Sequence, residues 1–188
     1  MKQERCTMKK ILIMMCGIPA SGKSTIAYNL AKCLEEQKSI IVSMDNIREE
    51  WFGTRKCQDS GDEVYAQSVE DTLWAFENFN IVIYDATNRT KKARKQLVKA
   101  IQKYYDCLVY CVYMATPLDI AIERNANRDE SIQVPPATIQ RMYDSLQHPT
   151  EKEKYFKEIY IIEPKVFDSN KDMWYNMFVN QIKGELKQ

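Results

Sequence analysis

Short apolar runs alternate along the chain with longer stretches in which apolar residues recur every three or four positions. The short runs lie at roughly 11–16 (Ile-Leu-Ile-Met-Met-Cys), 40–44, 81–85 (Ile-Val-Ile-Tyr-Asp), 107–114 and 159–162. They predict five strands, and because they are apolar on both faces the sheet they form is buried. The longer stretches predict helices over 23–37, 64–78, 90–104, 117–128, 136–147 and 172–186. Tyr65, Val69, Leu73 and Phe76 set the period of the second. Ile139, Met142, Tyr143 and Leu146 set that of the fifth, and Trp174, Phe178 and Ile182 that of the last, where core packing is the simplest role. Strands alternating with helices make an α/β fold around a parallel sheet. No repeat, low-complexity tract or interdomain linker breaks the pattern, so one domain spanning 1–188 is expected.

Composition fits this picture. The chain has 188 residues, 45% hydrophobic and 28% charged, enough to bury about 70% of the surface an unfolded chain exposes without staples. Twenty-seven Lys plus Arg against 26 Asp plus Glu leave a net charge of +1, so overall charge does not drive binding to nucleic acid and any basic site is local. The six cysteines, at 6, 16, 33, 57, 107 and 111, form no Cys-x-x-Cys pair, and His148 is the one histidine; zinc is not expected. The thiols read as reduced core residues of a cytoplasmic protein, with Cys107 and Cys111 on one face of a strand. Lys9-Lys10 followed by Ile11 to Ala20 has the outline of a signal peptide, but it runs into a glycine-lysine loop that cleavage would destroy. It is also too short to span a membrane, and no membrane partner is expected.

That loop carries the chemistry. Gly17-Ile18-Pro19-Ala20-Ser21-Gly22-Lys23-Ser24 matches G-x-x-x-x-G-K-[ST] between an apolar strand and a helix, the setting of a P-loop. Gly17 and Gly22 permit the tight turn that aims main-chain N–H groups inward, so a phosphate sits at the positive end of the following helix. Lys23 adds a point charge for the β- and γ-phosphates, and the Ser24 hydroxyl is a magnesium ligand. The motif implies ATP and Mg2+ as cofactors without saying what accepts a phosphoryl group.

Two acidic segments are candidates for the acceptor side. Asp45, in Met44-Asp45-Asn46-Ile47-Arg48, follows the second strand at the carboxyl edge of the sheet, where ligands of open α/β folds bind. It could take the proton of an attacking hydroxyl, with Arg48 one turn away for an anionic acceptor; equally, it could cap a short helix. Asp85, in Asp85-Ala86-Thr87-Asn88-Arg89, ends the third strand and is either a neighbour of the metal or part of a turn.

Arg124 and Arg128, four apart on the helix predicted at 117–128, share a face that a polyphosphate or nearby acids could neutralise. The segment from 124 to 150, with Pro135-Pro136 opening a helix and Pro149 closing it, has the make-up of a lid carrying these arginines. Arg89, Lys91, Lys92, Arg94, Lys95, Lys99 and Lys103 are seven of the fifteen positions 89–103, with no acid among them. They form either a solvated face or a phosphodiester track. Trp51 and Phe52 read as core residues, with base stacking as the alternative.

The ordered set Gly17-Ile-Pro-Ala-Ser-Gly-Lys-Ser-Thr25, Asp45-Asn-Ile-Arg48, Asp85-Ala-Thr-Asn88 and Arg124-Asn-Ala-Asn-Arg128, followed by Val134-Pro and a lid helix, resembles the kinase domain of bacteriophage-type polynucleotide 5′-hydroxyl kinases. These belong to a wider P-loop group that includes zeta toxins and seryl-tRNA kinases. The resemblance covers roughly 10–150 and implies a five-stranded parallel sheet in the order 2-3-1-4-5 with a helical lid. It also implies roles. Residues 17–25 hold the nucleotide, with Lys23 and Ser24 on the phosphates and magnesium. Asp45 is the general base and Arg48 grips the phosphate beside the acceptor hydroxyl. Asp85 and Asn88 order the acceptor, Asp85 also facing the metal. Arg128, with Arg124, steadies the transferring phosphoryl group. No Asp-x-Asp of a phosphatase domain occurs, so a stand-alone kinase is expected. The leading acceptor is the 5′-hydroxyl of DNA or RNA, the alternatives being a small molecule, a nucleoside or seryl-tRNA. A nucleotide-dependent switch without an acceptor is the reading from another class.

Overall fold

The computed structural model describes residues 9–55 and 61–187, so Cys6 and Cys57 lie outside the described residues. Five strands, β1 (Lys10–Cys16), β2 (Ser39–Ser43), β3 (Ile81–Asp85), β4 (Cys107–Met114) and β5 (Glu158–Ile162), form one parallel sheet in the order β2-β3-β1-β4-β5. This is the sheet the resemblance implies, with strand ends within a residue of those expected.

Among the described residues there are seven helices, α1 (Lys23–Cys33), α2 (Met44–Phe52), α3 (Gly61–Asn78), α4 (Lys91–Gln102), α5 (Leu118–Ala126), α6 (Pro136–Asp144) and α7 (Pro164–Leu186), of which α1, α3, α4 and α7 cover the sheet. Alternate residues of the strands divide between two cores. Ile11, Ile13 and Met15 pack with α1 and α7, including Leu30, Trp174 and Phe178. Leu12, Met14, Val82 and Tyr84 pack with α3 and α4, including Phe76, Leu97 and Ile101. In the central strand β1, Ile11 to Cys16 are fully buried because both faces are covered.

Several expectations change. The helix expected over 23–37 ends at Cys33 and continues as a short 3-10 turn, Glu35–Gln37, and Cys33 is exposed rather than in the core. The last helix begins at Pro164, whose fixed φ suits a first helical position, and it carries a non-helical residue, Asn170. At 44–52 the periodicity predicted no helix, and a short one entered only as the alternative role of Asp45 as a cap, because α2 buries a single residue, Ile47, and so has no apolar stripe. Trp51 and Phe52 at its end are 45% and 40% exposed, not core residues. Tyr143 also faces solvent. Among the described residues, no helix is long and apolar enough to cross a membrane.

Because the sheet is parallel, β1, β2, β3 and β4 all end at the same edge. The glycine-lysine loop, Asp45, Asp85 and the root of the expected lid therefore gather there.

Candidate active site

The loop from Gly17 to Gly22 is held in shape by its neighbours. Gly17 N–H donates to the Thr87 carbonyl at 3.0 Å, and the Thr116 hydroxyl donates to the Ser21 carbonyl at 2.9 Å. Three of its residues have positive φ: Gly17 (145°), Ala20 (60°) and Gly22 (99°). A Cβ on Gly17 would sit 2.9 Å from Ser21 Oγ and 3.1 Å from the Met114 carbonyl, so the turn closes only around a glycine. Ala20 adopts the left-handed conformation despite its side chain, a strained position that the motif pattern does not reveal.

No side chain caps α1 at Gly22, which leaves the first-turn amides to an incoming anion. Lys23 is buried and its Nζ donates to the Ile18 carbonyl at 2.7 Å and to Ser21 Oγ at 3.5 Å. Burial pushes its ammonium below the usual lysine range, while the charges of Asp85 and Asp45 oppose that fall. Ser24 and Thr25 are exposed at the start of α1.

Asp45 occupies the first turn of α2, but the cap is Ser43, whose hydroxyl accepts from Asn46 N–H at 3.4 Å. The helix is therefore capped without Asp45. Its Oδ1 accepts from Arg48 Nη1 at 2.7 Å; the Asp45 side chain is 61% exposed while that of Arg48 is 12% exposed. Oδ2 of Asp45 accepts no hydrogen bond among the described residues, and buried Arg48 Nε has no partner. Asp45 lies close enough to Lys23 and Arg128 to raise both of their proton affinities. The charge of this acid is thus felt at the glycine-lysine loop and at Arg128.

Asp85 is buried at the end of β3 and acts electrostatically on Lys23. Asn88, at φ 44°, is buried, and its Nδ2 donates to the Met15 carbonyl at 2.6 Å. That bond ties the β3–α4 turn to β1.

The lid arginines are arranged differently from the helical pair expected. α5 ends at Ala126 and Asn127 is its C-cap, so Arg128 lies in the following turn. Asn125 Nδ2 donates to the Val134 carbonyl at 2.8 Å and Val134 N–H returns to Asn125 Oδ1 at 3.0 Å. Gln133 Nε2 also holds the Arg128 carbonyl at 2.9 Å. Arg124 and Arg128 both border a cleft of about 270 Å³ beside Ser21, Gly22 and Thr25. Phe167 and Asp168 of α7 close its far side; they were missed because they precede the periodic stretch 172–186.

Arg94 does not belong to the exposed basic face of α4. It is fully buried, with Nε and Nη2 donating to Glu153 at 2.9 and 2.7 Å and Nη1 donating to the Asn88 and Gln147 carbonyls at 2.9 and 2.8 Å. Burial opposes the Glu153 carboxylate, yet hydrogen bonds from Arg94 and Tyr155 outweigh it and hold Glu153 below the usual glutamate range. This network joins the β3–α4 turn to the chain leaving the lid. Lys91, Lys92, Lys95, Lys99 and Lys103 remain exposed along α4.

A glycine-bounded loop between the central strand and a helix, on a sheet of this order, defines a nucleotide-binding P-loop protein of the kinase-like group. Within that class the chain belongs to the family described as an AAA domain, whose model matches residues 12–149. It is 30% identical over 179 residues to L-seryl-tRNA(Sec) kinase of Methanococcus maripaludis, an alignment covering 92% of this chain. The chain spans 64% of that relative's length. In fold it is similar to Chaetomium thermophilum Kti12, solved in complex with ADP-AlF3, with a TM-score of 0.71 at 18% identity over 93% of this chain and 98% of the other. It is also similar to a chain of the Pnkp1/Rnl/Hen1 RNA repair complex, with a TM-score of 0.64 at 23% identity over 81% of this chain and 48% of the other.

Proposed function

We propose that the protein is an ATP-dependent phosphotransferase that moves the γ-phosphoryl group to the 5′-hydroxyl end of a polynucleotide. The observation that carries this is Asp45: a carboxylate in the first turn after β2 with Oδ1 on Arg48 and Oδ2 without a hydrogen bond among the described residues, whose charge acts on both Lys23 and Arg128. Asp45 Oδ2 takes the proton of the acceptor hydroxyl as its oxygen bonds to the γ-phosphorus. The bond from that phosphorus to the oxygen bridging to the β-phosphate breaks, and ADP leaves. Lys23 and the first-turn amides of α1 hold the donor phosphates, and Arg128 approaches from the lid to the charge on the transferring group. Arg48 holds Asp45 in place, and its guanidinium would take the acceptor's adjacent phosphate.

The exposed Ser24 hydroxyl and the buried Asp85 carboxylate are the groups at the loop suited to a metal, and among the described residues no group of three or more acids, cysteines or histidines could cage one. This donor set fits magnesium, which is typically held by one or two protein groups together with phosphate oxygens. Bound there, it would neutralise charge on the β- and γ-oxygens.

Substituting Asp45 with Asn tests the assignment. Transfer to 5′-hydroxyl oligonucleotides should fall by about 10²- to 10⁴-fold while nucleotide affinity is kept. Unimpaired transfer would exclude Asp45 as the base. A second acceptor, the hydroxyl of a seryl group on tRNA, is favoured by the similarity to L-seryl-tRNA(Sec) kinase across 92% of this chain. Labelled ATP offered in parallel with oligonucleotides, seryl-tRNA and small alcohols separates the two.

A further inference from the structure

Helix α2 carries more than the acid and its arginine. Asp45, Arg48 and Phe52 follow one another at i, i+3 and i+7, so they lie along one stripe of the helix, with Trp51 adjoining Phe52. The two rings meet edge to face, with centroids 6.1 Å apart at 77°. They are the large apolar groups at the end of a helix whose one buried residue is Ile47, and they stay open to solvent. The helix stops immediately after them, at Gly53 in the left-handed conformation (φ 65°).

The chain then folds back, so that Arg55 pairs with Glu49 at 2.6 Å and reaches Asn46 Oδ1 at 3.4 Å. Arg55 is also close enough to Arg128 for its charge to disfavour that of Arg128. Along the chain the aromatic pair therefore lies between two arginines, Arg48 on the stripe of the acid and Arg55 folded back against Glu49 and Asn46. Flat aromatic faces flanked by guanidinium groups suit a base joined to phosphates, because every nucleobase offers a π-face and every nucleotide link a negative charge.

We infer that Trp51 and Phe52 form a stacking platform for the nucleobase of the acceptor's terminal nucleotide, about two helical turns beyond the carboxylate that receives its proton. This rests on the polynucleotide acceptor proposed above and adds what recognises that end: the base itself, independent of its identity.

The test compares two single-stranded 5′-hydroxyl oligonucleotides that differ in one respect, the terminal nucleotide being adenosine in one and abasic in the other. For the unaltered protein, removing the base should lower kcat/KM by about 5- to 150-fold, the range expected for one stacked base. Trp51→Leu combined with Phe52→Leu should bring the intact acceptor down to the rate of the abasic one, with little further loss on the abasic one, because both changes remove the same contact. Trp51→Tyr should keep most of the preference. Circular dichroism and the thermal midpoint show whether the leucine variant is folded; should it fail to fold, the base-deletion result with the unaltered protein and the Trp51→Tyr comparison still decide.

If the oligonucleotide is phosphorylated but losing its terminal base costs nothing, the platform is refuted and the polynucleotide acceptor stands. If phosphoryl transfer goes to seryl-tRNA or a small alcohol and to neither oligonucleotide, both fall together. A leucine variant that loses equal activity on both acceptors, or that turns a dimer into a monomer in sedimentation without altering base preference, also refutes it.

Discussion

Removing Glu153 should be among the most damaging single changes outside the cleft. Arg94 has no exposed surface and Glu153 supplies two of its four close contacts, at 2.9 and 2.7 Å. In Glu153→Leu the guanidinium keeps its charge, since arginine does not deprotonate in proteins. It retains the Asn88 and Gln147 carbonyls as its remaining partners at these distances. Leaving one member of a buried ion pair uncompensated costs about 3–5 kcal/mol. For a chain of this size that lowers the thermal midpoint by about 6–20 °C. Urea unfolding followed by circular dichroism measures the loss directly. The double variant Arg94→Met, Glu153→Leu should be more stable than Glu153→Leu alone, because the stranded charge goes with the arginine. A single variant that loses less than about 1 kcal/mol, or a double variant whose loss is the sum of both singles, would refute the reasoning.

Acid should expose the same network. Glu153 titrates below its unfolded value, so its contribution is present above about pH 4.5 and is lost as the pH falls through the lower folded value; Glu153→Gln should flatten the stability profile in that window. Gly17→Ala should weaken nucleotide binding by about 5- to 150-fold in an equilibrium titration, given a backbone strain of about 1–3 kcal/mol at φ 145°. If α4 guides the acceptor strand, replacing Lys95 and Lys99 by Gln should make the salt dependence of oligonucleotide binding shallower, by about 0.7 per lysine on a log-log plot. An unchanged slope would mark that face as merely solvated.

Strand limits were legible because apolar runs such as Ile81–Asp85 are bounded sharply by polar turns, and the parallel order followed from a resemblance carried by ordered motifs. The glycine-lysine loop was legible for a related reason: its function constrains residue type at fixed spacing. Helix α2 was not, since periodicity reports burial and this helix buries one residue. Exposure of Trp51 and burial of Arg94 were equally hidden. Residue type favours the opposite outcome for each, and only the partner decides: Glu153 stands 59 positions from Arg94 in the chain. Phe167 and Asp168 reach the cleft through a helix turn beginning at Pro164, ahead of any repeating pattern.

The reciprocal bonds between Asn125 and Val134 give the protein a clasp made from one side-chain amide, which copies the paired exchange of two extended backbones. The chain between them becomes a closed ring with Arg128 on it, and its two feet are fixed independently of what the ring contains. Lengthening or rewriting that ring would move the guanidinium without loosening α5 or α6. Under the proposed role of Arg128, its contact with the transferring group can therefore be altered there at small cost to the rest of the fold.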